Sequence, residues 1–467
     1  MIERYLEQFI QKQMIATRMP GLSLVLIRGD EVAQRHFGFR DLTTRQPPTG
    51  HTRYGLGSVT KVFTALAIMQ LVQEGALELD HTLTHYLPLE AHALGDATIR
   101  HVLAHSSGLP ALGWSETKMS SHWFMDGFPI GGYEDLATFM HGADAWRTAE
   151  PGERWQYSNE GYILLGRLIE SLDGRPYTQA LTARLLEPLG MTRSTFSQAV
   201  VTSDDDRVQP YMARDDGTLM PGSNLYGAMP AAGGLVSTAD DMTALANLLL
   251  GKGTLPDGQS LVSADLIGAM AQPDVKIDPA TPFDTMPLWS DATRFNGAGL
   301  QLHPRALFGH DVWGYGGGVM GGTSYVMVAP DVDVGVVILA NAHGYPLAQL
   351  SLVALASLLG QTPDAMPFVQ RQQLVERSAG SYASWSNTIR ADLLPRAWGV
   401  ELRMAFEPKA RTIPLVLLSH DTDADVTSFL ALGSGRPGIA NIVRQDDSTL
   451  ELRYERYVLR QQGKTHL

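Results

Sequence analysis

The stretch GLGSVTKVFTALAIMQLVQEG, residues 55–75, decides how the rest of the chain is interpreted. Apolar residues surround most of the helix that this stretch predicts, so the helix should be buried in the core. Lys61 lies within the apolar run, three residues after Ser58 and therefore about one helical turn away on the same face. Burying an unpaired ammonium group costs several kcal/mol, so the position of Lys61 needs a physical explanation.

Two explanations fit this pair. In the first, Ser58 caps the helix and Lys61 extends its ammonium group to the surface. In the second, a buried Lys61 acts as a base for a nucleophilic Ser58 at the helix N-terminus, where backbone N–H groups favour negative charge. The S-x-x-K pattern alone does not decide. A second copy, Ser115 to Lys118, is followed by the segment MSSHW and not by an apolar helix, so we interpret that copy as surface.

The composition of the chain indicates an ordinary globular protein with more than one domain. It has 467 residues, of which 44% are hydrophobic and 18% are charged. The net charge is −13 and no basic run is present, which argues against nucleic acid or an anionic membrane as a partner. The chain has no cysteine, which excludes disulfides, thiolate metal sites and a cysteine nucleophile.

The N-terminal segment, residues 1–21, predicts an amphipathic helix, because Leu6, Phe9, Ile10 and Met14 recur at helical spacing. The segment lacks the basic start, the unbroken apolar core and the cleavage site of a signal peptide. No stretch of about 18 apolar residues occurs anywhere in the chain. We therefore expect a cytoplasmic protein with no membrane partner, or a periplasmic or secreted protein if an export signal was trimmed.

The order of the predicted elements indicates an α/β (α+β) domain. Strand-like runs predict one hairpin at residues 21–38, around a Gly29-Asp30 turn, and another at 321–344. Capping and glycine stop signals predict helices at 161–174, 237–251 and 347–360. The two hairpins are separated by a mostly helical region at about 60–290. We expect an antiparallel sheet flanked by helices and interrupted by this all-α region.

The character of the sequence changes near residues 361–370, where two prolines and a glycine resemble a linker. The residues that follow alternate between apolar and polar, as in Val400, Leu402, Met404 and Phe406. About 98 residues of such short strands predict a separate small antiparallel β-barrel or sandwich.

A second candidate element is Tyr157-Ser158-Asn159, the only Y-x-N sequence in the chain. It directly precedes the predicted helix at 161–174, so Ser158 or Asn159 could be its N-cap and Tyr157 a packed aromatic. In the functional interpretation, Tyr157 serves as a proton acceptor beside Lys61. Asn159 then donates to a substrate carbonyl or contacts Lys61.

A third element is FGHDVWGYGGGVMGG, residues 308–322, which directly precedes the second hairpin. Three consecutive glycines can form a plain turn, or they can bring backbone N–H groups close to a ligand. In the second interpretation, the N–H groups of Ser58 and Gly318 form an oxyanion hole.

These three elements, in this order, resemble the serine β-lactamase and penicillin-binding-protein superfamily. The likeness is greatest to the class C branch, which includes esterases and D-aminopeptidase-type peptidases. GSVTK resembles its S-x-x-K motif, YSN its Y-x-N motif, and YGG at 315–317 its K-T-G or H-x-G motif. The resemblance implies a catalytic domain at 1–365. Residues 370–467 resemble the lipocalin-like barrel appended to some of these hydrolases, which would serve as a lid or an assembly domain.

The resemblance also implies roles for individual residues. Ser58 matches the acylated nucleophile, and Lys61 and Tyr157 match the pair that moves its proton. The residues matched to substrate binding, including the oxyanion hole, are Asn159, Tyr315, Gly317 and Gly318. No cofactor or metal is implied, and the substrate is expected to be a small ester or a short peptide. Assembly into a homo-oligomer is left open.

One departure from the family pattern concerns substrate choice. Tyr315 stands where relatives that bind a carboxylate often have Lys or His, and a tyrosine has no positive charge near neutral pH. We therefore expect a carboxylesterase or a peptidase that tolerates D-residues. The alternatives are an acyltransferase that uses the same acyl-enzyme, a weak β-lactamase, and a non-catalytic binding protein with this fold.

The histidine pairs His81/His85 and His101/His105 have the i,i+4 spacing that metal ligands on a helix can show. The sequence has no H-E-x-x-H motif, so we interpret both pairs as structural.

Overall fold

The computed structural model describes residues 2–88, 91–114, 133–213, 218–222, 229–277, 293–396, 399–406, 409–432, 438–445 and 449–463. The described residues form two compact units that separate between Pro363 and Asp364. The second S-x-x-K copy, Ser115 to Lys118, lies outside the described residues. No described helix combines the length and the apolar character that a membrane-spanning segment requires.

The first unit is built on one antiparallel sheet. The described strands of the first unit are β1 (Gly21–Arg28), β2 (Glu31–Gly38), β3 (Tyr54–Gly55), β4 (Tyr211–Ala213), β5 (Leu219–Pro221), β6 (Val236–Ser237), β7 (Val275–Ile277), β8 (Arg294–Asn296), β9 (Gln301–Leu307), β10 (His310–Val319), β11 (Gly322–Ala329) and β12 (Val334–Ala340). Eight of these strands form the sheet, in the order β2-β1-β12-β11-β10-β9-β8-β7. The remaining four form two small pairs, β3 with β6 and β4 with β5.

Helices cover both faces of this sheet. The described helices of the first unit are α1 (Ile2–Thr17), α2 (Thr60–Gln73), α3 (Leu83–Tyr86), α4 (Ile99–Leu103), α5 (Tyr133–Phe139), α6 (Asn159–Asp173), α7 (Tyr177–Leu181), α8 (Gln198–Thr202), α9 (Pro230–Gly233), α10 (Ala239–Leu250), α11 (Ala264–Met270) and α12 (Leu347–Leu358). One face of the sheet packs against α12, which in turn packs against α1. The opposite face contributes Val25, Ile27 and Val337 to a core that includes the apolar residues of α2.

The local sequence signals agree with this architecture. Both predicted hairpins are confirmed, and so are the three predicted helices, to within about two residues at each end. Ser158 is the N-cap of α6, and its hydroxyl accepts a hydrogen bond from the Gly161 N–H. The same helix ends at Gly174, which has a φ of 79°, a left-handed conformation that glycine adopts without strain. The helix α2 is buried from Thr60 to Leu71, as its apolar sequence predicts.

The second unit contains a closed antiparallel barrel, which confirms the predicted barrel. It begins with α13 (Pro367–Ser378), so part of the segment that resembles a linker is helical. The strands that close the barrel in sequence order are β13 (Gly380–Ala383), β14 (Arg390–Arg396), β15 (Gly399–Phe406), β16 (Lys409–Asp421), β17 (Val426–Ala431), β18 (Gly438–Arg444), β19 (Leu450–Tyr454) and β20 (Tyr457–Gly463). Its interior is filled by alternate apolar residues such as Leu393, Leu402 and Phe429.

Candidate active site

The side chain of Lys61 is fully buried, and its amine contacts Ser58. A short 3-10 helix, Gly57–Val59, leads directly into α2 and places Ser58 at the start of this buried helix. The Lys61 Nζ lies 3.1 Å from the Ser58 Oγ, 2.7 Å from the Asn159 Oδ1 and 2.6 Å from the Ala232 carbonyl oxygen. The amine therefore does not extend to the surface. Its burial is compensated by hydrogen bonds to oxygens from distant parts of the chain.

This geometry suits Lys61 for moving a proton. When the amine is neutral, two N–H groups can donate to Asn159 and Ala232 while its lone pair faces the Ser58 hydroxyl. When it is protonated, a third N–H can donate to the same hydroxyl oxygen. The contact can therefore be kept through a proton transfer in either direction, which is what a base for Ser58 requires.

The other polar residues of α2 fix the turn that supplies the Ala232 carbonyl. Thr64 Oγ1 donates to the Ala231 carbonyl at 2.7 Å, and Thr60 Oγ1 accepts the Leu235 N–H at 3.1 Å. Both threonines are fully buried. The polar residues on this face of α2 thus bind one backbone segment, which includes α9. Sequence reasoning did not identify Ala232 because a carbonyl oxygen carries no residue-type signal.

Tyr157 approaches Ser58 from another element. Its hydroxyl lies 2.6 Å from the Ser58 Oγ, and the Lys61 Nζ lies 4.8 Å from the centroid of its ring. The Y-x-N sequence combines the structural and the functional interpretation. Ser158 caps α6, while the residues on either side of it, Tyr157 and Asn159, contact Ser58 and Lys61.

The glycine run of β10 packs against the turn that holds Ser58. A Cβ added to Gly317 would lie 2.9 Å from the Ser58 nitrogen, and one added to Gly57 would lie 2.9 Å from the Gly318 nitrogen. Gly57 also has a φ of +53°, which disfavours other residues there. Close packing therefore requires glycine at these positions. This packing brings the backbone of Gly318 beside Ser58, where the predicted oxyanion hole would lie.

Tyr315 is 1% exposed, and its hydroxyl lies 2.9 Å from the Nε2 of His105. Burial raises the pKa of Tyr315 well above that of an ordinary phenol, with smaller contributions from Tyr157 and Tyr162. The side chain is therefore neutral. The structure places it beside the catalytic candidates, but its hydroxyl points at protein groups.

Sequence reasoning considered His105 only as half of a histidine pair, whereas the structure places it in the site. Its ring centroid lies 4.3 Å from that of Tyr157, and its Nδ1 accepts the Ser158 N–H at 3.2 Å. Its φ of 58° is left-handed, which no sequence pattern here predicted. The other member of the pair, His101, is directed differently, since its Nδ1 accepts the Thr98 N–H in a capping box. The described residues contain no group of three or more candidate metal ligands.

A family model described as Beta-lactamase matches residues 6–358, which is three quarters of the chain. The chain belongs to the beta-lactamase family of serine hydrolases. This finding confirms the resemblance drawn from the three motifs. Residues 363–460, which contain the barrel, match a second model described as the Pab87 octamerisation domain.

Comparison with individual proteins agrees with this placement in the beta-lactamase family. The chain is similar to the octameric penicillin-binding protein homologue from Pyrococcus abyssi, with 33% identity, a TM-score of 0.87 and coverage of 99% of this chain and 100% of that chain. It shares its fold with a D-stereospecific amidohydrolase from Streptomyces sp., with 24% identity, a TM-score of 0.62 and coverage of 75% and 98%.

A curated relative, Protein flp from Staphylococcus aureus (strain COL), is 28% identical over 211 residues. This match covers 44% of the chain and 41% of the relative, so it spans less than half of the relative's length.

Proposed function

We propose that the protein forms an acyl-enzyme on Ser58 and hydrolyses an ester or amide bond of a small acyl donor. The observation that supports this most directly is the position of the Ser58 Oγ, 2.6 Å from the Tyr157 hydroxyl and 3.1 Å from the Lys61 Nζ. A nucleophile within hydrogen-bond reach of its base is the arrangement that covalent catalysis requires. A role in binding alone would not require a buried lysine at this point.

In the proposed reaction, the Ser58 Oγ attacks the carbonyl carbon while its proton passes to the Lys61–Tyr157 pair. The tetrahedral intermediate collapses, the bond to the leaving alcohol or amine breaks, and the pair returns the proton to that group. Water then attacks the acyl-enzyme ester, the Ser58 oxygen is released with a proton, and the product acid leaves. Backbone N–H groups of Ser58 and Gly318 would stabilise the oxyanion in both steps.

The pairing of β10 favours an acyl donor with an extended chain. In the described residues β9 pairs with β10 only as far as Gly314, so no described strand pairs with residues 315–319 on that side. An extended substrate can add to such a strand edge through main-chain hydrogen bonds, which would place its carbonyl near Ser58. This favours a donor with an amide or a comparable chain beside the scissile bond.

A panel of chromogenic substrates tests the function and separates its two forms. We expect p-nitrophenyl esters or D- and L-aminoacyl p-nitroanilides to be hydrolysed by the natural protein and not by Ser58→Ala. Turnover of esters alone would identify an esterase, and turnover of D-aminoacyl anilides would identify a peptidase. Formation of hydroxamate with added hydroxylamine, in preference to the acid, would favour an acyltransferase. Equal rates for the natural protein and Ser58→Ala would contradict the proposal.

The neutral Tyr315 leads to a prediction about charged substrates. Benzylpenicillin carries a carboxylate and its methyl ester does not, yet we expect both to acylate Ser58 at rates within about threefold at pH 8. Mass spectrometry of the intact protein measures both rates. A free acid that reacts more than about tenfold faster would show that a cation near Ser58 selects carboxylates.

We also propose that the chain assembles into a homo-oligomer through its barrel unit. The octameric homologue, 33% identical over nearly the whole chain, and the match to an octamerisation domain support this. The barrel unit also exposes large apolar side chains, which are typical of interaction surfaces. They are Trp385, Leu418, Leu432, Ile439 and Val458, with Trp385 91% exposed.

Native mass spectrometry tests this assembly. We expect the natural protein to have eight times the mass of its 50.9 kDa chain, and Trp385→Ser to give smaller species because an apolar contact is lost. The control is Trp146→Ser, which removes another exposed tryptophan, 71% exposed, from the first unit. A monomeric natural protein would contradict the proposal.

A further inference from the structure

A buried serine of β11 is hydrogen-bonded to the turn that holds Ser58. The Oγ of Ser324 donates to the Leu56 carbonyl oxygen at 2.6 Å, and both residues are buried. Leu56 lies two residues before Ser58, whereas Ser324 lies 268 positions away in the sequence. Breaking a buried hydrogen bond leaves its partner without water to replace it, so the bond holds the two segments together. It therefore links the sheet to the turn that contains the proposed nucleophile.

The bond uses space that Gly317 leaves open. Ser324 is the partner of Gly317 in the pairing of β11 with β10, so the two residues share one face of the sheet. A Cβ added to Gly317 would overlap the Leu56 carbonyl oxygen and would lie 2.7 Å from the Ser324 Oγ. A larger residue at position 317 would therefore displace the bond. The glycine is required by this contact as well as by its proximity to the Ser58 nitrogen.

The Leu56 carbonyl is separated from the Ser58 N–H by the torsion angles of one residue. The peptide group that joins Leu56 to Gly57 is planar, so a fixed carbonyl also fixes the Gly57 N–H. Only the φ and ψ of Gly57 then stand between this peptide group and the next one, which carries the Ser58 N–H. The bond from Ser324 therefore controls the position of the Ser58 N–H.

The turn is bonded to a different segment through its other backbone group. The Leu56 N–H donates to the Leu235 carbonyl at 2.9 Å, and the Leu235 N–H donates to the Thr60 Oγ1 at 3.1 Å. Ser324 supplies the bond from the sheet, where the Gly318 backbone lies close to Gly57. This link to the sheet depends on one side-chain hydroxyl, which a substitution can remove.

We propose that Ser324 is a positioning residue that holds the Leu56 carbonyl and thereby sets the distance between the Ser58 N–H and the Gly318 N–H. These two N–H groups are the oxyanion hole of the proposed acyl-enzyme mechanism, on which this inference rests. Preorganised donors stabilise a developing negative charge only when they are held at hydrogen-bond distance from it. Ser324 acts on the oxyanion through the backbone and not on the proton transfer from Ser58.

Three variants test the proposal in the full chain. Ser324→Ala removes the hydroxyl, and Ser324→Cys fills the same space with a thiol, which is a weak donor. Thr323→Val is the matched control, because the Thr323 Oγ1 donates to the Ala342 carbonyl at 2.7 Å from the adjacent position of β11, on the opposite face of the sheet. Thermal unfolding compares the stability of the variants. Ser324→Cys provides the test if Ser324→Ala does not fold.

Two probes report on the oxyanion. With an alkyl fluorophosphonate, the Ser58 Oγ forms a bond to phosphorus, fluoride leaves, and the serine proton passes to the Lys61–Tyr157 pair. With phenylboronic acid, the Ser58 Oγ forms a reversible bond to boron, which becomes negatively charged, and the proton passes to the same pair. Intact mass measures the labelling rate at several probe concentrations and from about pH 6 to 9. Protection from labelling measures the affinity for the boronic acid.

We expect Ser324→Ala and Ser324→Cys to lower the maximal labelling rate by at least about tenfold, with little change in the half-saturating probe concentration. The affinity for phenylboronic acid should fall by a similar factor, because its tetrahedral adduct carries a comparable negative charge. The midpoint of the pH profile should stay within about 0.3 pH unit, since the hydrogen bonds of Lys61 and Tyr157 are kept. Thr323→Val should lose as much stability as Ser324→Ala, yet keep the rate and the affinity within about threefold.

Three results would overturn the proposal. The first is a folded Ser324 variant that labels within about threefold of the natural rate. The second is an equal loss of rate in Ser324→Ala and Thr323→Val, which would indicate a general weakening of β11. The third is a loss of rate accompanied by a shift of the pH midpoint by about one unit, which would assign the effect to proton transfer. If the natural protein is not labelled on Ser58 at all, the proposed function fails instead, and the two failures are thereby distinguished.

Discussion

Replacement of Lys61 by methionine is expected to slow the acylation of Ser58 by about a thousandfold. Methionine fills a similar volume but cannot take a proton, and it leaves the Asn159 Oδ1 and the Ala232 carbonyl without the amine that they bind in the natural protein. The rate of labelling by a fluorophosphonate, followed by intact mass, measures this effect directly. The same variant should lose turnover of any substrate found in the chromogenic panel.

The chain provides its own control for this experiment. Lys118→Met changes the lysine of the second S-x-x-K copy, which we interpreted as surface, and we expect the natural labelling rate. A Lys61→Met variant that is folded and labels within about tenfold of the natural protein would show that Lys61 is not the base. Equal losses of labelling rate in Lys61→Met and Lys118→Met would show that the loss is not specific to Lys61.

The second large effect is expected for Tyr157→Phe, which removes one oxygen beside the Ser58 Oγ. The Tyr157 hydroxyl lies 2.6 Å from the Ser58 Oγ, so its loss should slow labelling by about a hundredfold through loss of proton transfer. The ring remains, and with it the contacts of Tyr157 with His105 and Lys61. The effect should therefore appear in the rate constant for labelling, with little change in the concentration of probe that gives half of the maximal rate.

Tyr162→Phe is the matched control, since it removes a phenol oxygen from the neighbouring ring. That hydroxyl donates to the Leu103 carbonyl and does not contact Ser58, so labelling should stay within about threefold of the natural rate. If Tyr157→Phe also stays within this range, Lys61 acts without Tyr157.

The fold was predictable where its signals are local. The apolar run of α2 predicted a buried helix, and the Gly29-Asp30 turn predicted the first hairpin, because turn and burial patterns depend on neighbouring residues. The alternation around 400–406 predicted the barrel for the same reason. The small pairs β3 with β6 and β4 with β5 were not predicted. Each involves only two or three residues, and the two strands of the first pair are far apart in sequence.

The site was predictable to the extent that residue types carry its chemistry. Ser58, Lys61 and Tyr157 were predicted from motifs, and the structure places the Ser58 Oγ within hydrogen-bond distance of the Tyr157 hydroxyl and the Lys61 Nζ. Two contributors were not identified. The Ala232 carbonyl is a backbone atom, and the role of His105 depends on a left-handed φ and on contacts with residues about 50 and 210 positions away. Such long-range contacts exist only in the folded chain.

The measurement that tests the central claim most directly is the intact mass of the protein after reaction with a fluorophosphonate, followed by mapping of the modified peptide. We expect a single phosphonyl adduct on Ser58 in the natural protein, and none in Ser58→Ala, while Ser115→Ala is labelled as in the natural protein. An unmodified, folded natural protein, or an adduct that persists in Ser58→Ala, would contradict the assignment of Ser58 as the nucleophile.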